Sequence, residues 1–249
     1  LLPISNPRWF RLGKKILFIE WLRMASEASA TLSISHTTGK RLEEYWKSSM
    51  SKRPPGHQIP LASHNTQQGL ITDTRPNRGT RKIRLLMVGT FDPRKGYFEA
   101  ILAFEILWRR GFPLSVHIVG NRGKKSRGVL RRLEASKRQY PQLRISIDAT
   151  DADLENAYRS CDLVFANAED EGLGLPLLEA RSRGIPVIAR KTEIFSELTS
   201  FGIKLVDGDQ PEKIAEVIEK FDIRERWNSN EKAMIPDWLE ASRILWTKL

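Results

Sequence analysis

The sequence predicts an α/β protein: a parallel sheet with helices on both faces, preceded by part of a second α/β domain. Three observations lead there. From Ile83 to Phe221, short apolar strand-like runs alternate with helical segments. That rhythm requires right-handed crossover connections and therefore a parallel sheet buried on both faces. The tract 63–82 is polar, carries Gly69, Pro76 and Gly79, and reads as a linker. Ahead of it, residues 1–62 hold only a few short elements.

The elements follow in order. Ser5-Asn6-Pro7 reads as a helix start, with Asn6 as cap and Pro7 at the first helical position. Trp9, Leu12, Ile16 and Ile19 recur at helical spacing, and Phe10, Leu17, Trp21 and Met24 widen the apolar face. Arg8, Arg11, Lys14, Lys15 and Arg23 decorate the rest. This is either a core helix with a solvated basic side or a helix lying on a membrane surface. "ATLSIS", from Ala30 to Ser35, is a short strand, and Thr37 or Thr38 caps the helix carrying Leu42, Tyr45 and Trp46. "SKRPPG" breaks that helix, and "HQIPLA" is another strand-like piece.

Beyond the linker, "IRLLMVG" (Ile83–Gly89) is a strand, 96–110 a helix and "LSVHIVG" (Leu114–Gly120) the next strand. A basic helix spans roughly 130–139, "LRISI" is a third strand, and 153–160 is helical. "DLVFANA" is a fourth strand, followed by a short helix, the strands "IPVIA" and "IKLVD", and a helix over 211–221.

Composition sets the outer bounds. A chain of 249 residues with 40% hydrophobic and 29% charged residues is one large soluble domain or two small ones. The single cysteine, Cys161, cannot form an internal disulfide and reads as a buried thiol. No apolar run approaches the ~20 residues that span a bilayer, and the chain starts at Leu1 with no signal-peptide pattern. A formal charge of +11 attracts nucleotides, phosphosugars, anionic lipids or nucleic acids without choosing among them.

Chemistry concentrates in three loops that should leave the carboxyl ends of parallel strands, where ligands sit in such sheets. "GTFDPRKG", Gly89 to Gly96, places Arg94 and Lys95 just before a helix, a fork and a point charge for phosphate oxygens. In "IVGNRGKK", Gly120 permits close backbone approach, and Lys124, Lys125 and Arg127 follow. "EDEGLGLPLLEARSRGIPVIA", Glu169 to Ala189, sets Glu171 and Glu179 on either side of a glycine loop. Gly172 and Gly174 free the backbone, Pro176 suits the first helical position, and Gly184 ends the helix. A glycine loop feeding a helix N-terminus is an anion site. Flanking acids accept hydrogen bonds from hydroxyls, so the order reads as sugar, phosphate, ribose.

These motifs carry a resemblance. Residues 83–249 are similar to the donor-binding half of a retaining glycosyltransferase of family 4, with the two-Rossmann-domain GT-B fold. Glu171 to Glu179 resembles its E-x7-E signature in an "EGFGLPxLEA" setting, "GIPVIA" followed by Glu197 its next block, and "VGTFDPRKG" its first. "DWLEASRIL" resembles the closing helix that crosses back to the first domain, and "ISHTTGKRL" the end of an acceptor domain. The resemblance implies a Rossmann-like donor domain over 83–235, a crossing helix over 236–249, and an acceptor-domain remnant over 1–62. The acceptor domain's own first strand, glycine loop and helix are not found, so the sequence reads as a fragment or a degenerate relative.

Residue roles follow by resemblance. Glu171, Lys95 and Arg94 are the expected catalytic groups: Glu171 on the donor sugar near the reacting centre, Lys95 on the diphosphate, Arg94 as a second cation. Glu179 holds ribose hydroxyls. Gly172, Leu173, Gly174 and Leu175 lie against the sugar-phosphate, and Gly89, Thr90, Gly120 and Thr150 complete the donor site. Thr90 stands where many members have Arg, and "SIDATD" where many have a glycine. The donor is expected to be GDP-mannose or a UDP-sugar and the acceptor a glycan or lipid-linked glycan. The setting is polysaccharide or lipopolysaccharide synthesis in the cytoplasm, with peripheral membrane contact at the inner face of the plasma membrane. No metal and no further cofactor are expected, because cations already face the leaving group and no His/Asp/Glu cluster has ligand spacing.

Four rivals remain. A glycosidase would use Glu171 and Glu179 as its carboxylate pair, about 5–5.5 Å apart in a retaining enzyme. A nucleotide-sugar epimerase or a non-catalytic nucleotide-binding module would share the fold. A nucleic-acid binder would want aromatics among its basic runs, and "NRGKKSRGVLRR" has none, so no nucleic-acid partner is expected.

Overall fold

A run such as Leu85-Leu86-Met87 has no polar side, so it is stable only between two layers of helix. The computed structural model describes residues 12–50, 52–59, 82–221 and 238–247. Contacts divide the chain into two units, Leu1–Ala62 with Pro236–Leu249, and Ser63–Ile235. The expected helix start at Ser5–Pro7 and, save Lys82, the expected linker over 63–82 lie outside the described residues.

In the first unit, helix α1 (Leu12–Ala25) buries Leu22 and leaves Leu12, Ile16, Leu17, Trp21 and Met24 exposed. Strand β1 (Thr31–Ser33) leads into α2 (His36–Ser49), and β2 (Gly56–Gln58) returns parallel to β1, with Thr31 opposite Gly56. The cap of α2 is Ser35, not Thr37 or Thr38. Ser35 is extended, and its side chain accepts from the Thr38 N–H at 3.1 Å. Buried Trp46 donates its indole N–H to the Leu22 carbonyl at 3.1 Å, which ties α2 to α1.

In the second unit the strands are β3 (Ile83–Val88), β4 (Leu114–Gly120), β5 (Leu143–Ile147), β6 (Leu163–Ala166), β7 (Val187–Arg190) and β8 (Ile203–Val206). All pair in parallel, in the order β5-β4-β3-β6-β7-β8. The connecting helices are α3 (Tyr97–Arg109), α4 (Ser126–Gln139), α5 (Asp151–Ser160), α6 (Leu175–Ser182), α7 (Glu193–Glu197) and α8 (Pro211–Glu219). The last helix, α9 (Trp238–Trp246), belongs to the first unit.

Leu85, Met87, Val116 and Ile118 pack with Ile101, Phe104 and Leu107 of α3, Val129 and Leu133 of α4, and Ile214 and Ile218 of α8. Leu86, Val164 and Val187, outside that cluster, are equally buried. Both faces of the sheet are therefore covered, and each such side chain contributes about 1.5–3 kcal/mol of burial. The free Cys161 thiol is buried too; burial, then Asp162, push its pKa up to about 12.

Helices α4, α5 and α7 and the start of α6 differ from expectation, α5 beginning at Asp151 rather than 153. Helix α4 begins at Ser126 because its first turn buries Val129. Helix α7 was not foreseen: Thr192 caps it by accepting from the Phe195 N–H at 3.2 Å, and it buries Ile194 and Phe195. Pro176 is the second residue of α6, because Gly174 takes the cap in a left-handed conformation with φ 85°. Gly184, φ 72°, follows the end of α6 as expected. Among the described residues, no helix is long and apolar enough to cross a membrane.

Candidate functional site

In a sheet of this order, the chain reverses direction between β3 and β6, and the crevice beyond their carboxyl ends is the natural ligand position. The loop after β3 is shaped by local bonds. Asp92 accepts from the Arg94 N–H at 3.0 Å and from Arg94 Nε at 3.1 Å, closing a 3-10 turn over Pro93–Lys95. Gly96, φ 65°, ends that turn and opens α3. Tyr97 donates its hydroxyl to the Gly89 carbonyl at 2.7 Å.

Gly120 has a packing duty that the sequence did not reveal. A Cβ there would lie 1.9 Å from the Gly89 carbonyl oxygen. The loops after β3 and β4 run side by side, with Gly89 N–H bonded to Val119 O at 3.0 Å and Phe91 N–H to Asn121 O at 2.9 Å. The absent side chain thus serves the approach of two strand ends, whatever ligand lies above them.

The loop after β6 is fastened to the loop after β3. Glu169 N–H donates to Arg94 O at 2.8 Å, and Asn167 Nδ2 donates to Gly96 O at 3.0 Å. That fastening brings Glu171 onto Lys95: the Lys95 ammonium donates to Glu171 Oε1 in an ion pair whose side chains are 21% and 23% exposed. Burial and then the Arg94 guanidinium push the Lys95 pKa down to about 8, with Asp92 pulling the other way. Lys95, Tyr97, Asn167, Glu171, Gly174 and Pro176 line one small pocket at this point. Gly174 is constrained twice, by its positive φ and by the Phe195 ring, 2.8 Å from where a Cβ would stand.

Glu179 belongs to α6 and is oriented from α5. Its Oε2 accepts from the Tyr158 hydroxyl at 2.8 Å, and burial, then Glu179, push the Tyr158 pKa up. Arg183 lies over the Tyr158 ring at 4.7 Å, pairs with Glu155 at 2.7 Å and donates to the Glu179 carbonyl at 2.8 Å. Glu179 does not line the pocket that holds Lys95 and Glu171. The two acids therefore occupy different chemical surroundings, one against an ammonium, the other against a phenol.

The remaining expected residues are placed as follows. Gly172 and Leu173 are partly exposed in the loop, Leu175 is 45% exposed at the start of α6, and Thr90 is exposed beside Gly89. Thr150 caps α5, exchanging bonds with Asp153 at 2.7 and 3.2 Å. Lys124, Lys125 and Arg127 are exposed and do not line the pocket. Sequence reasoning missed the roles of Tyr158, Asn167 and Gly208, although Asn167 stood near the end of the quoted run "DLVFANA" and Gly96, directly after Lys95, inside "GTFDPRKG". Among the described residues, no group of three or more His, Cys, Asp or Glu is arranged to hold a metal.

The six-stranded sheet and its switch-point crevice define an α/β architecture shared with GT-B glycosyltransferases. Sucrose-phosphate synthase from Thermosynechococcus elongatus superposes with a TM-score of 0.76 at 19% identity, over 99% of this chain and 63% of that one. Anabaena Alr3699/HepE, solved in complex with UDP and glucose, gives 0.73 at 18% identity, over 100% and 69%. Residues 72–234 match the model of the glycosyl transferases group 1, and the chain belongs to that family. Serotype-specific mannosyltransferase WbdA of Escherichia coli is 34% identical over 259 residues, 96% of this chain and 31% of the relative. Another protein of that name and organism is 26% identical over 257 residues, again 96% and 31%. The chain thus spans about a third of the length of these curated relatives.

Proposed function

We propose that this chain is the donor-binding part of a retaining glycosyltransferase of family 4. It moves a sugar from a nucleotide-sugar donor to a glycan or lipid-linked acceptor in polysaccharide or lipopolysaccharide synthesis. The observation that carries this reading is the meeting of Lys95 and Glu171 at the switch point. A cation suited to a diphosphate stands beside a carboxylate suited to sugar hydroxyls, between a glycine loop and a helix start. The relatives' name, mannosyltransferase, supports mannose as the sugar and so favours GDP-mannose over a UDP-sugar as the donor.

In the reaction, the bond between the sugar's anomeric carbon and the diphosphate oxygen breaks. Positive charge grows on the ring and negative charge on the leaving diphosphate. The Lys95 ammonium and the backbone N–H groups at the start of α6 stabilise that negative charge, an arrangement already in place before reaction. Arg94, held by Asp92, adds positive charge at the same edge. The acceptor hydroxyl oxygen bonds to the anomeric carbon from the side the diphosphate leaves, and its proton passes to the departing diphosphate oxygen. Glu171 accepts from the donor's sugar hydroxyls once the diphosphate takes over Lys95. Glu179, steadied by Tyr158, accepts from the ribose. These cations do what a divalent metal does elsewhere, so the reading requires none.

Titration calorimetry in EDTA with GDP, UDP and ADP tests the reading. Binding of GDP or UDP without metal is the expected outcome, and absence of heat with every nucleoside diphosphate overturns it.

A further inference from the structure

Three loops, from the carboxyl ends of β3, β6 and β8, meet at one side chain. Asn167 directly follows β6 and is 1% exposed. Its Nδ2 donates to the Gly96 carbonyl at 3.0 Å and to the Gly208 carbonyl at 2.8 Å. Both acceptor residues must be glycine. A Cβ on Gly96 would stand 2.1 Å from the Asn167 carbonyl oxygen, and one on Gly208 would stand 2.1 Å from Asn167 Oδ1 and 2.5 Å from Arg190 Cγ.

The orientation of the amide follows from chemistry. Two carbonyl oxygens can be met only by an NH2 group, since a rotated amide would set Oδ1 against both. Oδ1 is then buried without a hydrogen-bond partner, the one such side-chain atom among the described residues. An unsatisfied buried acceptor is costly, and an apolar residue at the end of a buried strand would avoid that cost. What the amide does in return is geometric. Lys95 directly precedes Gly96, and Glu171 follows four residues after Asn167. With the Glu169 N–H on Arg94 O at 2.8 Å, the amide ties the two halves of the Lys95–Glu171 pair together across the switch point.

We infer that Asn167 is a positioning residue of the donor site: its amide sets the spacing of Lys95 from Glu171 and pins the β8–α8 loop to the same edge. This rests on the donor-site reading above. Without the clamp, the two loops separate, water reaches Lys95, and the diphosphate meets a cation no longer held in place. Lys95 is the reporter, because burial, Arg94 and Asp92 set its titration, while Glu171 pairs with it and Tyr97 lines the same pocket.

The test uses Asn167→Ala and the milder Asn167→Ser, which keeps one donor. Two readouts are taken on the full chain: the Lys95 titration midpoint in ligand-free protein, by NMR of labelled lysine, and nucleoside diphosphate affinity, by calorimetry. In Asn167→Ala the midpoint rises by a unit or more from about 8, and affinity falls about tenfold. Asn167→Ser lies between. Adding Asn167→Ala to Lys95→Ala weakens binding little further, because the clamp acts through the lysine. Either variant melting earlier with an unchanged Lys95 midpoint and unchanged affinity overturns the inference, leaving a merely structural asparagine. If the midpoint moves but no diphosphate binds even the unaltered protein, the clamp stands and the donor-site reading fails. If Asn167→Ala does not fold, the Asn167→Ser midpoint decides alone.

Discussion

Raising the pH from 7 to 9 should weaken nucleoside diphosphate binding about tenfold, through one side chain. Burial and Arg94 hold the Lys95 pKa at about 8 against an ordinary 10.5. About nine-tenths of the free protein then carries the charge at pH 7, and about one-tenth at pH 9. A bound diphosphate stabilises the charged form, so the complex keeps its proton where the free protein has lost it. Binding takes up about a tenth of a proton at pH 7, about half at pH 8 and nearly one at pH 9, and affinity falls toward a limiting tenfold per pH unit, about 1.4 kcal/mol. The diphosphate changes little over this range: a terminal phosphate with a last pKa of about 6, as on a phosphorylated side chain, is about nine-tenths ionised at pH 7 and more so above it. Calorimetry at pH 7, 8 and 9, in two buffers of different ionisation enthalpy, reads both the affinity and the proton. Lys95→Met should bind more weakly with no such limb. Protein stability moves the other way. A base whose folded pKa lies below its unfolded value contributes stability that grows as pH rises from about 8 toward 10.5, so unfolding does not explain weaker binding. Affinity that stays flat to pH 9, or a limb that survives Lys95→Met, would refute the reasoning.

Glu179→Ala removes a charge-assisted acceptor worth about 1.5–3 kcal/mol, so nucleoside diphosphate affinity should drop between about ten- and 150-fold. Tyr158→Phe, which leaves the carboxylate charged but unsteadied, should cost less; equal losses in calorimetry would assign the role to the tyrosine instead. Glu171→Gln should tighten binding of the diphosphate alone several-fold at pH 6.5, because it frees Lys95 of its counter-charge. Weaker binding would show that Glu171 supports the phosphate rather than competing for the lysine.

Local chemistry made much of the second unit legible. Strand Ile83–Val88 is where its apolar run placed it, since a segment buried on both faces has no other pattern to show, and the edge strand Leu143–Ile147 was legible too, although only Leu143 in it is buried. The end of α6 near Gly184 was equally plain, because a left-handed residue after a helix favours glycine. Helix α7 escaped notice for a related reason: five residues are too few for a helical period. Ser35 escaped because three candidate caps stand within four residues, and only backbone geometry selects one.

Residue types and spacing alone settled that this chain alternates strand and helix, and that an acid–glycine–acid segment lies at a strand end. They could not say what each acid touches. Glu171 meets a lysine 76 positions away, Glu179 a tyrosine 21 positions away, and Asn167 a glycine 71 positions away. Such partners are brought together by strand order, here the adjacency of β3 and β6, and strand order is decided by the packing of the whole sheet rather than by any one segment of it.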